Sequence, residues 1–326
     1  MHGKTTLLTR DSLKPLELDR VHTYPLASRA AKVAVKDFAR LPRRGATVRE
    51  WANALPRILA GKDFRAVIQA LETARARGKP IIWGLGGHVI KVGLGPALVD
   101  LMRRGYVTAV AMNGASLIHD FEIALVGRTS EDVPEALGRG RFGMAEETGR
   151  AINEAIVAGE RDGLGIGESV GRFLAKSRQA RFRRYSVLAA AFRRRAPVTV
   201  HVAIGTDIIH MHRSFDARAT GAATHRDFLL LAALVRGMDR GGVFLNAGSA
   251  VILPEVFLKC VSLAANLGRA PRRITTVNLD FIQGYRPTQN VVLRPPRAAG
   301  RNSGRGFALT GHHEMMIPLL AAALEP

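Results

Sequence analysis

Residues Lys79–Gly95, KPIIWGLGGHVIKVGLG, contain the stretch that decides the fold. A short apolar run, Ile81-Ile82-Trp83, ends in a group of glycines, and a second apolar run follows at once. A buried strand that turns sharply into a helix has this pattern, because glycine tolerates the tight backbone turn between the two. Turns that hold a phosphate or a dinucleotide begin in the same way.

Similar apolar runs alternate with helical patterns along the rest of the chain. Strands are predicted at 80–86, 107–114, 197–205, 241–250 and 273–281. Because these strands are apolar on both faces and helices separate them, the sequence predicts an α/β fold with a Rossmann-like, mostly parallel sheet and helices on both faces. Residues 1–60 are irregular, and we expect them to form an N-terminal extension that packs on a main domain at 61–326.

The composition excludes several classes of protein. No apolar run approaches the roughly 18 residues of a membrane helix, and the N-terminus does not resemble a secretory signal. The single cysteine, Cys260, fits a reducing cytoplasm, where we expect the protein to reside. The net charge of +21 attracts anions, but no nucleic-acid-binding motif accompanies the arginines. We interpret them as a solvated surface and not as a nucleic-acid site.

Glycines and small polar residues follow each predicted strand. The segments are GLGGHVIK, NGAS, GTDIIHMH, NAGSAVILPE and NLD. Ligands of parallel sheets bind beyond the carboxyl ends of the strands, so these loops are expected to form one site. Their composition favours a nucleotide-type cofactor. The stretch HGKTTLL at residues 2–8 lacks the strand and the first glycine of a P-loop, and we interpret it as chance.

Histidines and one lysine in these loops are candidates for chemistry. His210 and His212 would face the same way in a strand, and with Asp207 and His225 they could bind a metal. No recognised zinc spacing is present, so no metal site is assigned. Lys91 could form an imine if it were buried, and a solvated helix lysine is the other interpretation.

Taken in order, the loops resemble the deoxyhypusine synthase family, from about Lys79 to the C-terminus. Thr206-Asp207 matches the family's Thr-Asp pair, Asn113-Gly114-Ala115 its Thr-Ala-Gly, and Ala247-Gly248-Ser249 its glycine triplet. The resemblance implies a homotetrameric enzyme that binds NAD. The cofactor-binding residues it implies are Gly86, Gly87, His88, Asn113, Gly114, Ala115, Asp207, Gly248, Ser249, Asn278, His312 and His313.

The departures from the family fall on its chemistry. Arg294-Pro295 stands where the family has its imine-forming lysine, and neither residue can form an imine. The proton-accepting histidine of the family falls near Leu253-Pro254, and its polyamine-binding aspartate is His212. The resemblance therefore predicts the fold and the cofactor but not the family's own reaction.

The sequence thus predicts a cytoplasmic, homo-oligomeric NAD enzyme that oxidises a small amine or alcohol or transfers a group at that carbon. We do not expect a true deoxyhypusine synthase. His210, His212 and Glu314 are candidates for proton transfer because histidine titrates near neutrality, and Lys91 is a candidate for a substitute imine lysine. Two alternatives stay open: a non-catalytic nucleotide-binding protein and a metal-dependent, amidinohydrolase-like enzyme.

Overall fold

A computed structural model describes residues 10–300 and 303–324. The P-loop-like stretch at residues 2–8 lies outside these ranges. Residues 10–47 contain only short 3-10 turns and extended chain. Helix α1 (Val48–Ala54) begins at a capping box, in which the Thr47 hydroxyl accepts from the Glu50 N–H and the Glu50 carboxylate accepts from the Thr47 N–H. Helix α2 (Leu59–Ala76) crosses the boundary predicted near residue 60.

A six-stranded sheet forms the centre of the molecule, in the order β3-β2-β1-β4-β5-β6. Every neighbouring pair is parallel, as the sequence predicts. This is the strand order of a doubly wound dinucleotide-binding fold, with the order reversing between β1 and β4. The strands are β1 (Ile81–Leu85), β2 (Ala109–Asn113), β3 (Val198–His201), β4 (Val243–Ala247), β5 (Thr275–Asp280) and β6 (Arg305–Thr310).

Helices cover both faces of the sheet. Ile81, Trp83 and Leu85 of β1 belong to one buried core, and Ile82 belongs to a second core on the opposite face, because successive strand residues point to opposite sides. The remaining helices are α3 (Gly87–Lys91), α4 (Gly95–Arg103), α5 (Gly114–Val126), α6 (Val133–Leu137), α7 (Glu146–Arg161), α8 (Ile166–Lys176), α9 (Val187–Arg194), α10 (Ala217–Gly237), α11 (Ile252–Asn266), α12 (Tyr285–Pro287), α13 (Arg294–Arg297) and α14 (His313–Ala323), with a π-helix at Thr288–Leu293.

Side chains of α10 cover the outer edge of β3. Asp227 Oδ2 accepts from the Val200 N–H at 2.8 Å, and the Thr224 hydroxyl donates to the Val200 carbonyl at 2.9 Å. An uncovered edge strand would offer these groups to another chain. The carboxylate and the hydroxyl therefore end the sheet at β3.

Two elements were not expected from the sequence. Strand β6 follows a glycine, and only Phe307 and Leu309 of its side chains are buried, so its sequence lacks the apolar run of a two-sided strand. The second is helix α6, a helix of 5 residues whose first turn is capped by Asp132. Within the described residues, no helix combines the length and the apolar character that crossing a membrane requires.

Candidate functional site

The loops that follow β1 and β4 touch at the point where the strand order reverses. A Cβ on Gly86 would lie 2.0 Å from the carbonyl oxygen of Gly248, so no other residue fits at position 86 without moving backbone. The Gly86 N–H donates to the Ala247 carbonyl at 2.8 Å. Gly248 has a φ of +70°, a conformation that glycine adopts without strain. Ligands of doubly wound sheets bind at this reversal.

A carboxylate lies against the start of α5. Asn113 caps this helix by accepting from the Ser116 N–H at 2.9 Å. A Cβ on Gly114 would lie 2.1 Å from Oδ2 of Asp207, so the carboxylate occupies the space that any side chain at 114 would need. Burial raises the pKa of Asp207 to about 6, with a hydrogen bond from Thr206 acting in the opposite direction. Asp207 is therefore a half-buried carboxylate at the start of α5.

The start of α3 and the start of α5 form one wall of the candidate site. A Cβ on Gly87 would lie 3.0 Å from the Cβ of Ala115, which brings the loops after β1 and β2 into contact. Within the described ranges, the N–H groups of Gly87 and His88 have no hydrogen-bond partner. Ser249 lies across from them and accepts from the Leu253 N–H at the start of α11. The wall is thus built from small residues with free backbone donors.

Two histidines join the loops after β1 and β6. Nδ1 of His88 lies 3.1 Å from Nδ1 of His313, and Nε2 of His313 lies 3.1 Å from the Leu279 carbonyl oxygen. His313 is fully buried, and this burial lowers its pKa. Asp280 lies 3.8 Å from Nε2 of His313, and Phe281 packs against both imidazole rings. The histidine pair therefore connects β1, β5 and β6 at the carboxyl edge.

Other residues predicted for the cofactor lie around this pair. His312 is exposed, stacks on Phe281 and lies 3.8 Å from Glu314, whose side chain is also exposed. Asn278 is fully buried within β5, where it accepts from Nδ2 of Asn246 at 2.7 Å. Asn278 also donates to the Gln283 side chain at 2.7 Å, so it connects the sheet to the loop that follows β5.

His210 and His212 bond to backbone near their own turn or in a neighbouring loop. Nδ1 of His210 accepts from the N–H of Gly205 and of Asp207, and its Nε2 is buried without a partner in the described part of the chain. Nε2 of His212 donates to the Gly143 carbonyl at 2.8 Å. The described residues show no contact between either histidine and His312 or His313. Because His210 accepts from the Asp207 N–H, it lies next to the candidate site and orients the backbone of Asp207.

Lys91 ends α3 and is exposed. It lines a cavity of about 450 Å³, together with Thr129 and Tyr185 among others. The lysine therefore lies behind α3, next to a cavity, and is not buried as a nucleophilic lysine would be.

Sequence reasoning missed a second histidine network beside Lys91. The Thr129 hydroxyl donates to the Glu122 carboxylate, so its lone pair accepts from Nδ1 of His119 at 2.7 Å. Burial, followed by the charge of Lys91, lowers the pKa of His119. His119 and Glu122 are three apart and share a helical face, which is the signal that could have indicated this network.

The remaining buried acids and the cysteine have structural positions. Asp120 is buried and accepts from the N–H of Val187 at 2.8 Å, so it caps α9, and Asp227 accepts from the N–H of Gly167 at the start of α8. Burial raises the pKa of Cys260 to about 12, which makes it an inert core residue. Within residues 10–300 and 303–324, no group of three or more His, Cys, Asp or Glu side chains could hold a metal ion.

Solved structures with the same fold support the assignment of the sheet. A conserved candidate LOR/SDH protein from Methanococcus maripaludis S2 is 16% identical, with a TM-score of 0.51, and the match covers 82% of this chain and 70% of that one. AgrE in its ternary complex with ornithine and NAD⁺ is 19% identical, with a TM-score of 0.50, and the match covers 80% of this chain and 32% of AgrE. No family model and no curated protein matches the sequence.

A candidate deoxyhypusine synthase from Entamoeba histolytica is also among the similar structures. It is 12% identical with a TM-score of 0.48, and the match covers 86% of this chain and 94% of that one. The chain spans about a third of the length of AgrE and of ArgZ, an arginine dihydrolase from cyanobacteria. At these identities the comparisons establish the fold, a Rossmann-like α/β sheet whose solved examples include an NAD⁺ complex.

Proposed function

We propose that this protein is an NAD-dependent enzyme that oxidises a small amine or alcohol, or transfers a group at that carbon. The observation that carries the proposal is the position of Asp207. Its carboxylate lies against Gly114 at the carboxyl edge of a doubly wound sheet, where it is partly desolvated. Burying a carboxylate costs free energy, and a site that binds hydroxyl groups is a reason to keep one there.

The residues at this edge fit a dinucleotide. The Asp207 carboxylate would accept from ribose hydroxyls, and its charge would keep phosphates away from the start of α5. The phosphates would instead take the free N–H groups of Gly87 and His88, while Ala115, Gly248 and Ser249 leave room for close approach of the backbone. AgrE, which shares the fold, is described in complex with NAD⁺.

The cofactor, when bound, would supply an acceptor for a hydride, so the protein must supply proton transfer and orientation. Glu314 lies on the exposed side of the edge, and His210 fixes the backbone of Asp207. His212 and Lys91 lie farther from the histidine pair, and we propose at most a supporting role for them. His312 would contact the outer part of the cofactor, and Asn278 would hold the sheet beneath it.

The structure offers no replacement for the family's imine lysine at its usual place. Arg294 is exposed and donates to the Asn290 side chain at 2.9 Å, and Pro295 is buried. A reaction without an imine between substrate and an enzyme lysine is therefore proposed, on a small molecule and not on a protein lysine. We also propose a homo-oligomer, tetrameric by resemblance to the deoxyhypusine synthase family. We propose a cytoplasmic location because a single buried thiol fits a reducing compartment.

Thermal unfolding with and without cofactor tests the proposal. NAD or NADP at millimolar concentration should raise the Tm, because a ligand at about a hundred times its Kd stabilises the folded state by about 2.7 kcal/mol. Asp207→Ala should remove this shift, whereas Asp162→Ala, an exposed acid paired with Arg172, should keep it. If neither cofactor shifts the Tm of the unaltered protein, the proposal fails and a non-catalytic or differently liganded protein takes its place.

A further inference from the structure

The hydrogen bonds of His313 fix which of its nitrogens carries the proton. A carbonyl oxygen can only accept, so Nε2 of His313 must donate to the Leu279 oxygen at 3.1 Å. The ring is fully buried, which favours the neutral form, so its Nδ1 carries a lone pair and no proton. His313 therefore presents an acceptor to its neighbour.

The neighbour is His88, and its tautomer follows. Its Nδ1 lies 3.1 Å from Nδ1 of His313. Because Nδ1 of His313 carries only a lone pair, Nδ1 of His88 must carry the proton that joins the two rings. The lone pair of neutral His88 is then at Nε2. This atom is not buried and has no hydrogen-bond partner among the described residues, and His88 belongs to the helix that follows β1 at the carboxyl edge of the sheet.

We propose that His88 is the proton acceptor of the oxidation and that His313 is the residue that positions it. This inference rests on the proposed function and names its general base. Oxidation of an alcohol or amine carbon breaks a C–H bond, whose electron pair leaves as hydride to the nicotinamide oxidant. The O–H or N–H proton passes to Nε2 of His88 as the carbon forms a C=O or C=N bond.

The surroundings stabilise the proton once it has arrived. An imidazolium at His88 donates from Nδ1 to neutral His313, and a hydrogen bond from a charged donor is about twice as strong as one between neutral groups. Asp280 lies 3.8 Å behind His313, and His312 and Glu314 lie on the exposed side of the pair.

Nitrogen NMR of histidine-labelled protein tests the tautomers directly. In the unaltered protein we expect the neutral His88 ring to carry its proton at Nδ1 and the His313 ring at Nε2. His313→Gln can donate to Leu279 and accept from His88, so it should retain the Nδ1 tautomer of His88. His313→Phe can do neither, so His88 should lose its tautomer preference. His225→Gln, on α10 against Phe228, is the matched control and should change nothing. A His88 proton at Nε2, or a tautomer indifferent to His313→Phe, overturns the inference.

Acylation by diethyl pyrocarbonate, mapped by mass spectrometry, tests the position of the lone pair. NAD at saturating concentration should slow acylation of His88 and leave His225 unchanged. If NAD raises the Tm but leaves the acylation rate of His88 unchanged, His88 does not face the cofactor and the inference fails while the proposed function stands. If NAD does not raise the Tm, the proposed function fails, and the assignment of His88 as its base fails with it, whatever the tautomers.

Discussion

Replacing Asp207 by asparagine should stabilise the protein at neutral pH and at the same time remove its response to NAD. Burial desolvates the carboxylate, and this is the main cause of its raised pKa. Asparagine has nearly the same shape and carries no charge to desolvate. A residue kept for structure alone would not combine a gain in stability with a loss of binding.

The magnitude follows from the pKa of Asp207, which burial raises from 3.8 to about 6. The folded state holds this proton more tightly than the unfolded state, so the stabilisation is complete below pH 3.8 and is lost as the pH rises to about 6. Above that pH the ionised carboxylate destabilises the folded state by about 3 kcal/mol. Partial exposure of the side chain makes this an upper bound, and we expect Asp207→Asn to be about 1–3 kcal/mol more stable at pH 8.

Urea unfolding at several pH values from 4.5 to 8, for the unaltered protein and Asp207→Asn, measures the effect. The difference in the free energy of unfolding should grow with pH up to about 6 and then stay constant. Asp227→Asn is the matched control: its carboxylate is also buried but accepts from the Gly167 and Val200 N–H groups, so the variant should keep the Tm response to NAD. A stability difference that is the same at pH 4.5 and pH 8, or a full NAD response in Asp207→Asn, would refute the reasoning.

Three further predictions concern the same fold. Gly114→Ala places a Cβ 2.1 Å from the Asp207 carboxylate, so it should lower the free energy of unfolding by about 1–3 kcal/mol and weaken the NAD response. Gly138→Ala, with open space around it, should do neither. Urea unfolding and Tm shifts with NAD measure both effects. Burial raises the pKa of Asp227 to about 7, so the stability difference between Asp227→Asn and the unaltered protein should keep rising with pH up to about 7, one unit beyond the limit for Asp207, in the same unfolding series. Protein incubated with NAD and spermidine should yield no borohydride-reducible adduct, because Arg294 stands in the place of the family's imine-forming lysine. An adduct detected by mass spectrometry would contradict the proposed change of reaction.

The positions of five of the six strands, and the edge at which the candidate site lies, could be predicted from the sequence. Apolar runs of strand length, each ending in glycine or small polar residues, indicate two-sided parallel strands, and all parallel strands end at one edge. The contact between Asp207 and Gly114 follows this logic, since Gly114 comes directly after β2 and Asp207 lies in the loop that follows β3. Local composition was sufficient here because burial on both faces leaves a continuous signal along the chain.

The partners of each loop were decided by the tertiary structure. His88 and His313 are 225 residues apart, and they meet although β4 and β5 lie between β1 and β6, because the segments that follow β1 and β6 come together at the carboxyl edge of the sheet. Strand order depends on how the crossover helices pack, and no single segment encodes it. Likewise, the sequence predicts Asn278 as a cofactor-binding residue, and only the register of β5 shows that it also bonds to Asn246 within the sheet. Composition and periodicity thus determined the elements and the edge, and long-range packing determined which side chains share a hydrogen bond there.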